Sequence, residues 1–429
     1  MVKDNMELSK DQKIVYDLIM DNIKNKSSLT TIGGYAGTGK TFLISKIREN
    51  LEKENLNIKI AFVCFTGKAS LVLKQKLGKI NEKNHYIGTI HSLIYKPEFR
   101  YSKKIKRMLI YNWIKVPKND LNFDFIFIDE SSMVSEEIFK DLKSYNIPIL
   151  AFGDHGQLPP ISNSFFNLMK DPDYKLEEIH RQSKENPIIK LAELARKYGK
   201  IPFGIFSSGV AKLNINDDRT MKLFYNIDFK EDVIVLCGMN KTRVELNNKI
   251  RENLGFSLPE PYPGERVICL RNNKSSGIFN GQLGTLLMLT YETKEILEVC
   301  IQMDGEEELF SGLIYYPMFG KEKYSDVFSI LKEKDGKENK LQKITKNTEY
   351  DYVDFFDWGN IITVHKSQGS QWNRVILFEE RNYYMDDLMY SKFLYTAITR
   401  SENKLLVIGY DWAQKIYIEN TLSNTTNYN

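Results

Sequence analysis

Eight consecutive residues constrain this chain more than any others: Gly34-Tyr35-Ala36-Gly37-Thr38-Gly39-Lys40-Thr41, a GxxxxGK[ST] run. It follows the apolar stretch 29–32 and precedes residues 41–50, whose apolar spacing is helical. A strand that turns through glycines into a helix aims backbone N–H groups inward and adds the positive end of the helix, which together form an anion nest. The spacing therefore predicts a nucleotide phosphate site built by Gly34, Ala36, Gly37, Thr38 and Gly39. Lys40 reaches the outer phosphates and Thr41 holds magnesium. A chance glycine-rich turn has no reason to lie between a strand and a helix.

Such a loop belongs to a parallel α/β sheet, and the flanking sequence has that rhythm. Strands are expected at 29–32, 58–65, 123–129 and 147–153, and a second α/β rhythm begins with 232–237 and helical 240–254 and resumes at 361–364, 374–378 and 405–409. Between its halves, residues 264–358 read as short β-rich runs with glycine turns and a charged stretch at 321–346. At 429 residues the chain exceeds one ordinary core. The expected division is a first α/β domain at 1–92 and 121–188, an insertion at 93–120, a second α/β domain at 189–263 and 359–429, and a small inserted barrel at 264–358.

Lys+Arg 60 against Asp+Glu 56 is too balanced for charge alone to imply a nucleic-acid partner. Cys64, Cys237, Cys269 and Cys300 stand singly in apolar stretches, which suggests buried thiols in a reducing cytoplasm and neither a zinc knuckle nor a disulfide framework. No apolar run is long enough to address the chain to a membrane. The five histidines lack metal-ligand spacing.

The second chemical signal is Phe127-Ile128-Asp129-Glu130, two carboxylates at the end of an apolar strand, the edge where open α/β sheets bind ligands. Paired with the phosphate loop, Asp129 is expected to bind magnesium through water and Glu130 to orient or deprotonate an attacking water. Taken alone, the pair reads equally well as an exposed acidic strand end. Phosphate loop and acidic strand together define a nucleotide hydrolase without saying what the energy drives.

Four further runs carry a resemblance. Gly153-Asp154-His155-Gly156-Gln157-Leu158-Pro159-Pro160 resembles motif III of superfamily 1 helicases, Thr363-Val364-His365-Lys366-Ser367-Gln368-Gly369-Ser370 motif V, and Tyr395-Thr396-Ala397-Ile398-Thr399-Arg400 motif VI. Leu8-Ser9-Lys10-Asp11-Gln12 resembles the Q motif. Their order and spacing fit this superfamily and neither AAA+ nor relaxase architecture, and the chain is similar to its Dda and RecD group, which moves 5′ to 3′. The resemblance implies two RecA-like P-loop domains, with a β-hairpin insertion in the first and an SH3-like barrel in the second. It implies ATP and Mg2+ as cofactors. Gln157 then senses the terminal phosphate, Arg400 and Arg181 reach it as cations unless they are surface arginines, and Gln368 and Gly369 belong to the nucleotide site. Gln12 selects adenine, a role compatible with a plain helix-start role beside the Ser9 cap.

On the nucleic-acid side the resemblance assigns Thr66 and Lys68 to motif Ia, Thr89 and His91 to motif Ib, and Thr363 and His365 to strand contacts from the second domain. Residues 99–118 hold seven Lys and Arg and no Asp or Glu, interleaved with aromatics, a pattern suited to nucleic acid. In the family this interval carries a duplex-splitting pin. Tyr101, Met108 and Tyr111 are the candidate tips, each with a second reading as a residue that packs the hairpin on its own domain. The barrel, which begins its resemblance at Asn280-Gly281-Gln282-Leu283-Gly284, either encloses the strand or braces the second domain. The expected activity is ATP-driven translocation on single-stranded DNA with unwinding of forked or tailed duplex, in replication or recombination. The compact chain resembles a phage member of the group, acting in the bacterial host cytoplasm as a monomer beside a single-strand-binding protein. The alternatives are a translocase that displaces proteins without unwinding and a nonenzymatic single-strand-binding subunit.

Overall fold

The structure is a computed structural model that describes residues 7–78, 80–102, 107–159, 166–179, 185–229, 232–256, 260–270, 278, 280–306, 309–322, 353–382 and 385–410; at 97, 99–102 and 107–112 it describes the backbone alone. Arg181, most of the charged stretch 321–346 and the C-terminal residues 411–429 lie outside the described residues.

The first lobe starts with α1 (Lys10–Lys24), opened by a capping box in which Ser9 and Gln12 bond reciprocally. Then come β1 (Leu29–Gly34), α2 (Lys40–Glu54), β2 (Ile60–Cys64), α3 (Gly67–Leu77), β3 (His85–Thr89) and the short α4 (Ile90–Ile94). The hairpin β4 (Tyr95–Ser102) and β5 (Arg107–Lys115) follows, then β6 (Phe125–Ile128), α5 (Glu136–Lys143), β7 (Ile149–Gly153) and β8 (Tyr174–Leu176). The sheet runs in the order β3-β2-β6-β7-β1-β8 with every neighbouring pair parallel. Its central strands are buried on both faces, as the fully apolar IAFVC of β2 requires. Phe62 and Phe127 point to one face and Val63 and Ile128 to the other. A fully buried side chain of this size contributes about 1.5–3 kcal/mol, so helices on both faces are what hold the sheet.

The second lobe begins with α6 (Pro187–Tyr198), started by the Asn186 cap with proline in the first turn and ended by Gly199 at φ 61. Its Ile188, Leu191 and Ala195 join the core of this lobe. After β9 (Gly204–Ser207), β10 (Val210–Asn214), α7 (Asp218–Tyr225), β11 (Val233–Cys237) and α8 (Asn240–Asn253) the chain leaves the lobe. It forms β12 (Arg266–Cys269), β13 (Leu283–Tyr291), β14 (Ile296–Met303), β15 (Leu309–Tyr315), β16 (Val353–Asp354) and β17 (Phe356–Trp358). That sheet has the order β16-β15-β14-β13-β12-β17 and is antiparallel except for β15 and β16. It has its own core around Val299, Ile301, Phe356 and Trp358. The lobe resumes with β18 (Ile361–Thr363), β19 (Trp372–Phe378), α9 (Asp387–Ile398) and β20 (Ser401–Gly409), and its sheet has the order β18-β11-β19-β20-β10-β9, parallel but for β9.

The α/β class with two P-loop-type sheets is as expected. β3, β8, β9 and β10 were not anticipated. β3 (HYIGT) and β9 (GIFS) are sheet edges with too little apolar alternation to register, and β10 (VAKLN) conceals a buried lysine. Among the described residues no helix is long and apolar enough to cross a membrane.

Candidate nucleotide site between the lobes

β1 delivers the chain into the loop at Gly34, and Gly37 (φ 83) and Gly39 (φ 76) take left-handed conformations that side chains resist. Gly39 is the N-cap of α2, so Lys40 and Thr41 open the helix at its positive end. Lys40 Nζ donates to the carbonyls of Gly34 (2.7 Å) and Tyr35 (3.3 Å), and Thr38 Oγ1 donates to Tyr35 O (2.8 Å). Gln12 is 1% exposed. Its Oε1 accepts from Ser9 N–H (3.1 Å) and its Nε2 donates to Thr38 O (3.0 Å), so the structure places it as a brace beneath the loop, outside the cleft lining.

The loop faces a cleft of about 520 Å³, within the roughly 300–1,000 Å³ of small-molecule sites. Ala36, Lys40, Thr41, Asp129, Glu130 and Gln157 line it from the first lobe. Burial raises the Asp129 carboxyl to about 6, with Glu130 adding to the rise and Lys40 opposing it. Glu130 sits at φ 53, a left-handed backbone that costs a residue with a side chain about 1–2 kcal/mol. Among the described residues its Oε2 is buried without a hydrogen-bond partner, as is Gln157 Oε1. Buried polar oxygens of this kind are stabilised once a ligand or water supplies donors. Paired carboxylates, a lysine and a helix N-terminus are a donor set that fits a nucleotide triphosphate with a hard divalent cation.

The second lobe forms the other wall with Gly369, Gln371, Thr399 and Arg400. Arg400 is 1% exposed. Its guanidinium donates to Thr396 O (3.1 Å), Ser370 O (3.1 Å) and Thr399 Oγ1 (3.3 Å), all uncharged acceptors that leave its charge directed at the cleft. The seam is closed by bonds across the lobes. Thr66 Oγ1 donates to Gly369 O (2.9 Å), and Gln368 Nε2 donates to Leu158 O (2.6 Å). Gln368 is thereby a tie to the first lobe, and Gly369, at φ 71, lies against Thr66 and Met133 where a Cβ would collide. Lys68 also lines the cleft, with Nζ 3.7 Å from Asp232 and 4.7 Å from the Trp372 ring centre.

The residues assigned to nucleic acid are placed differently. Thr89 caps α4 by accepting from Ser92 N–H (3.1 Å). The His91 ring packs 4.6 Å from both Tyr95 and Trp113, at the root of the hairpin. Tyr95 OH and Lys115 Nζ both donate to Asp141 on α5, the latter at 2.9 Å, and Tyr145 OH donates to Ile94 O and Val116 O. Tyr101 and Met108 are paired in register across the hairpin, and Tyr111 lies in β5. Thr363 ends β18, 8% exposed, and His365 follows in a 3-10 turn with burial lowering its imidazole pKa.

Sequence reasoning missed the residues that knit the seam: Asp154, which accepts from Tyr395; Thr396, which accepts from Leu158 N–H; Lys392, which donates to His155 O (3.4 Å); and Trp372, which packs under Lys68. Asp154, Tyr395 and Thr396 lay inside motif-like runs from which only Gln157 and Arg400 were singled out.

Fold and site together define a two-lobed, RecA-like P-loop protein. An AAA domain model matches residues 7–213, and a UvrD-like helicase C-terminal domain model matches residues 359–408. The ATP-dependent RecD2 DNA helicase of Deinococcus radiodurans is 23% identical over 94% of this chain and 49% of its own. The ATP-dependent DNA helicase dda of Enterobacteria phage T4 is 24% identical over 92% of this chain and 97% of its own. A Bacteroides Pif1 helicase structure in complex with ADP-AlF3 and ssDNA is 18% identical over 98% of each chain, with a TM-score of 0.48. The chain is a homologue, at low identity, of the superfamily 1 helicases RecD2, Dda and Pif1. It spans 49% of the length of RecD2 and 38% of an uncharacterized Methanocaldococcus jannaschii protein to which it is 27% identical.

Proposed function

We propose that this chain is an ATP- and magnesium-dependent DNA helicase that translocates 5′ to 3′ on single-stranded DNA and displaces the complementary strand. The observation that carries the reading is the shared cleft, with Lys40, Asp129 and Glu130 on one wall and the buried, carboxylate-free Arg400 on the other. The chain's homology to helicases supports it.

In this reading the loop amides and Lys40 hold the phosphates, Thr41 and Asp129 hold Mg2+, and the metal supplies neutralisation of phosphate charge. Glu130 orients a water, Gln157 monitors the terminal phosphate, and Arg400 stabilises charge on the leaving side, with Arg181 as a second cation. Thr66, Lys68, Thr89, His91, Thr363 and His365 serve the strand path directly or by holding its walls, and the hairpin of β4 and β5 divides the duplex through Tyr101, Met108 or Tyr111. A role in replication or recombination as a monomer, on forked or tailed DNA coated by a single-strand-binding protein, follows from the same reading.

The test is strand displacement with ATP and Mg2+ on duplexes with a 5′ or a 3′ single-stranded tail, with Lys40→Ala as control. Unwinding from the 5′ tail alone, lost in the control, is the expected result. Unwinding from the 3′ tail overturns the polarity, and DNA-stimulated ATP turnover without displacement means a translocase.

A further inference from the structure

Tyr395 projects from α9 of the second lobe and is 2% exposed. Its hydroxyl lies between two groups of the first lobe. It accepts from the Ala36 N–H of the phosphate loop (2.7 Å) and donates to Asp154 Oδ2 (2.6 Å). The second distance is that of a charge-assisted bond to a carboxylate. Asp154 is itself 2% exposed, and its carboxylate also accepts from Gly156 N–H (2.9 Å) and lies 3.5 Å from Gln157 Nε2. Gly156 leaves room for this arrangement, since a Cβ there would stand 3.1 Å from the Tyr395 ring and 3.0 Å from that of Tyr35. The next residue of α9 repeats the pattern: Thr396 Oγ1 accepts from Leu158 N–H (2.9 Å).

We infer that Tyr395 is a positioning residue that makes ATP hydrolysis conditional on lobe closure. A single hydroxyl on one lobe fixes both the loop backbone at Ala36 and, through Asp154, the turn that carries Gln157. When the lobes part, both groups lose that bond together, and Gln157 Oε1, which has no hydrogen-bond partner among the described residues, loses its fixed direction. Burial and the neighbouring Asp154 carboxylate raise the Tyr395 pKa, so the phenol stays protonated and able to donate across the working pH range. The inference rests on the proposed ATP-hydrolysing function of the cleft.

The test is steady-state ATP hydrolysis by the full chain, with and without single-stranded DNA, for Tyr395→Phe, Gln157→Ala and the double variant. Phenylalanine keeps the ring packing and removes only the hydroxyl. A misplaced reacting group costs on the order of a hundredfold. The DNA-stimulated kcat of Tyr395→Phe should therefore fall about tenfold to a hundredfold while KM for ATP changes less than about threefold. The part of the effect that runs through Asp154 is already lost in Gln157→Ala, so the double variant should be slower than the slower single variant by much less than the product of the two effects. Tyr390→Phe is the control, removing another buried hydroxyl from the same helix whose bond goes to Glu379 (3.1 Å) away from the cleft, and it should leave kcat as in the wild type. An unchanged kcat in Tyr395→Phe, a rise in KM alone, effects that multiply in the double variant, or an equal loss in Tyr390→Phe each overturns the inference. Absence of ATP hydrolysis in the wild type overturns instead the reading on which it rests.

Discussion

The two lobes have the same strand order. Read across each sheet, β3-β2-β6-β7-β1 of the first corresponds to β18-β11-β19-β20-β10 of the second. The third strand of each order ends in an acidic pair, Asp129-Glu130 after β6 and Glu379-Glu380 after β19. The pairs have opposite fates. Glu379 is held by Lys212 Nζ at 2.5 Å and by Tyr390 OH, while Glu380 accepts from the N–H groups of Gly238 (2.7 Å) and Met239 (3.2 Å) and from Thr242 at the start of α8. Glu130 keeps a buried oxygen with no partner among the described residues, facing the cleft. The fifth strand shows the same divergence. β1 runs into the glycine loop, whereas β10 runs into Asn214-Ile215-Asn216-Asp217, where Asp217 caps α7 by accepting from Arg219 N–H (2.9 Å). A carboxylate at that helix start repels the anion that its counterpart is built to attract. Reactivity in this architecture is decided by which acidic groups the protein leaves without partners, and the strand order is only the frame.

That contrast can be broken most sharply at Glu130. Glu130→Gln should lower ATP turnover by about 10²–10⁴, the usual weight of a positioned acid–base group, with nucleotide binding retained; an ATPase assay beside a fluorescent-nucleotide titration reads both, and near-normal turnover would make the two pairs equivalent after all. Next in size is Lys212→Met, which strands the buried Glu379. Removing one partner of a buried pair costs about 3–5 kcal/mol, so urea unfolding of the second lobe should move to clearly lower concentration. Smallest is Glu380→Gln, which weakens the cap on α8 by about 1 kcal/mol. It should lower Tm by about 2–4 °C and leave KM for ATP unchanged. A changed KM there would mean that the second pair also serves the nucleotide.

The comparison also marks what the sequence could reveal. The phosphate loop was legible because its backbone needs, glycines at Gly37 and Gly39 and a helix beginning at Lys40, dictate residue types at fixed spacing. β2, β6 and β7 were legible because strands buried on both faces must be apolar throughout. An acidic pair after an apolar strand carried no such information by itself: Asp129-Glu130 and Glu379-Glu380 look alike in the chain, and what separates them is the arrival of Lys212 from β10, Tyr390 from α9 and the donors at the start of α8. Gln12 illustrates the same limit, since its amide contact with Thr38 depends on where α1 docks. Tyr395 depends on how the lobes meet, which no local pattern encodes.

The hairpin root has a mechanical consequence. Tyr95 on β4 and Lys115 on β5 grip the same Asp141 carboxylate, and Tyr145 clamps the carbonyls that flank both strands, Ile94 and Val116. Both legs of the hairpin are thus bolted to one short helix and its following turn. A force on the hairpin is carried into the floor of the first sheet through these bolts, and the two legs cannot slide past each other without shearing them. The root of the hairpin is therefore a fixed handle, one that turns only when the whole lobe turns.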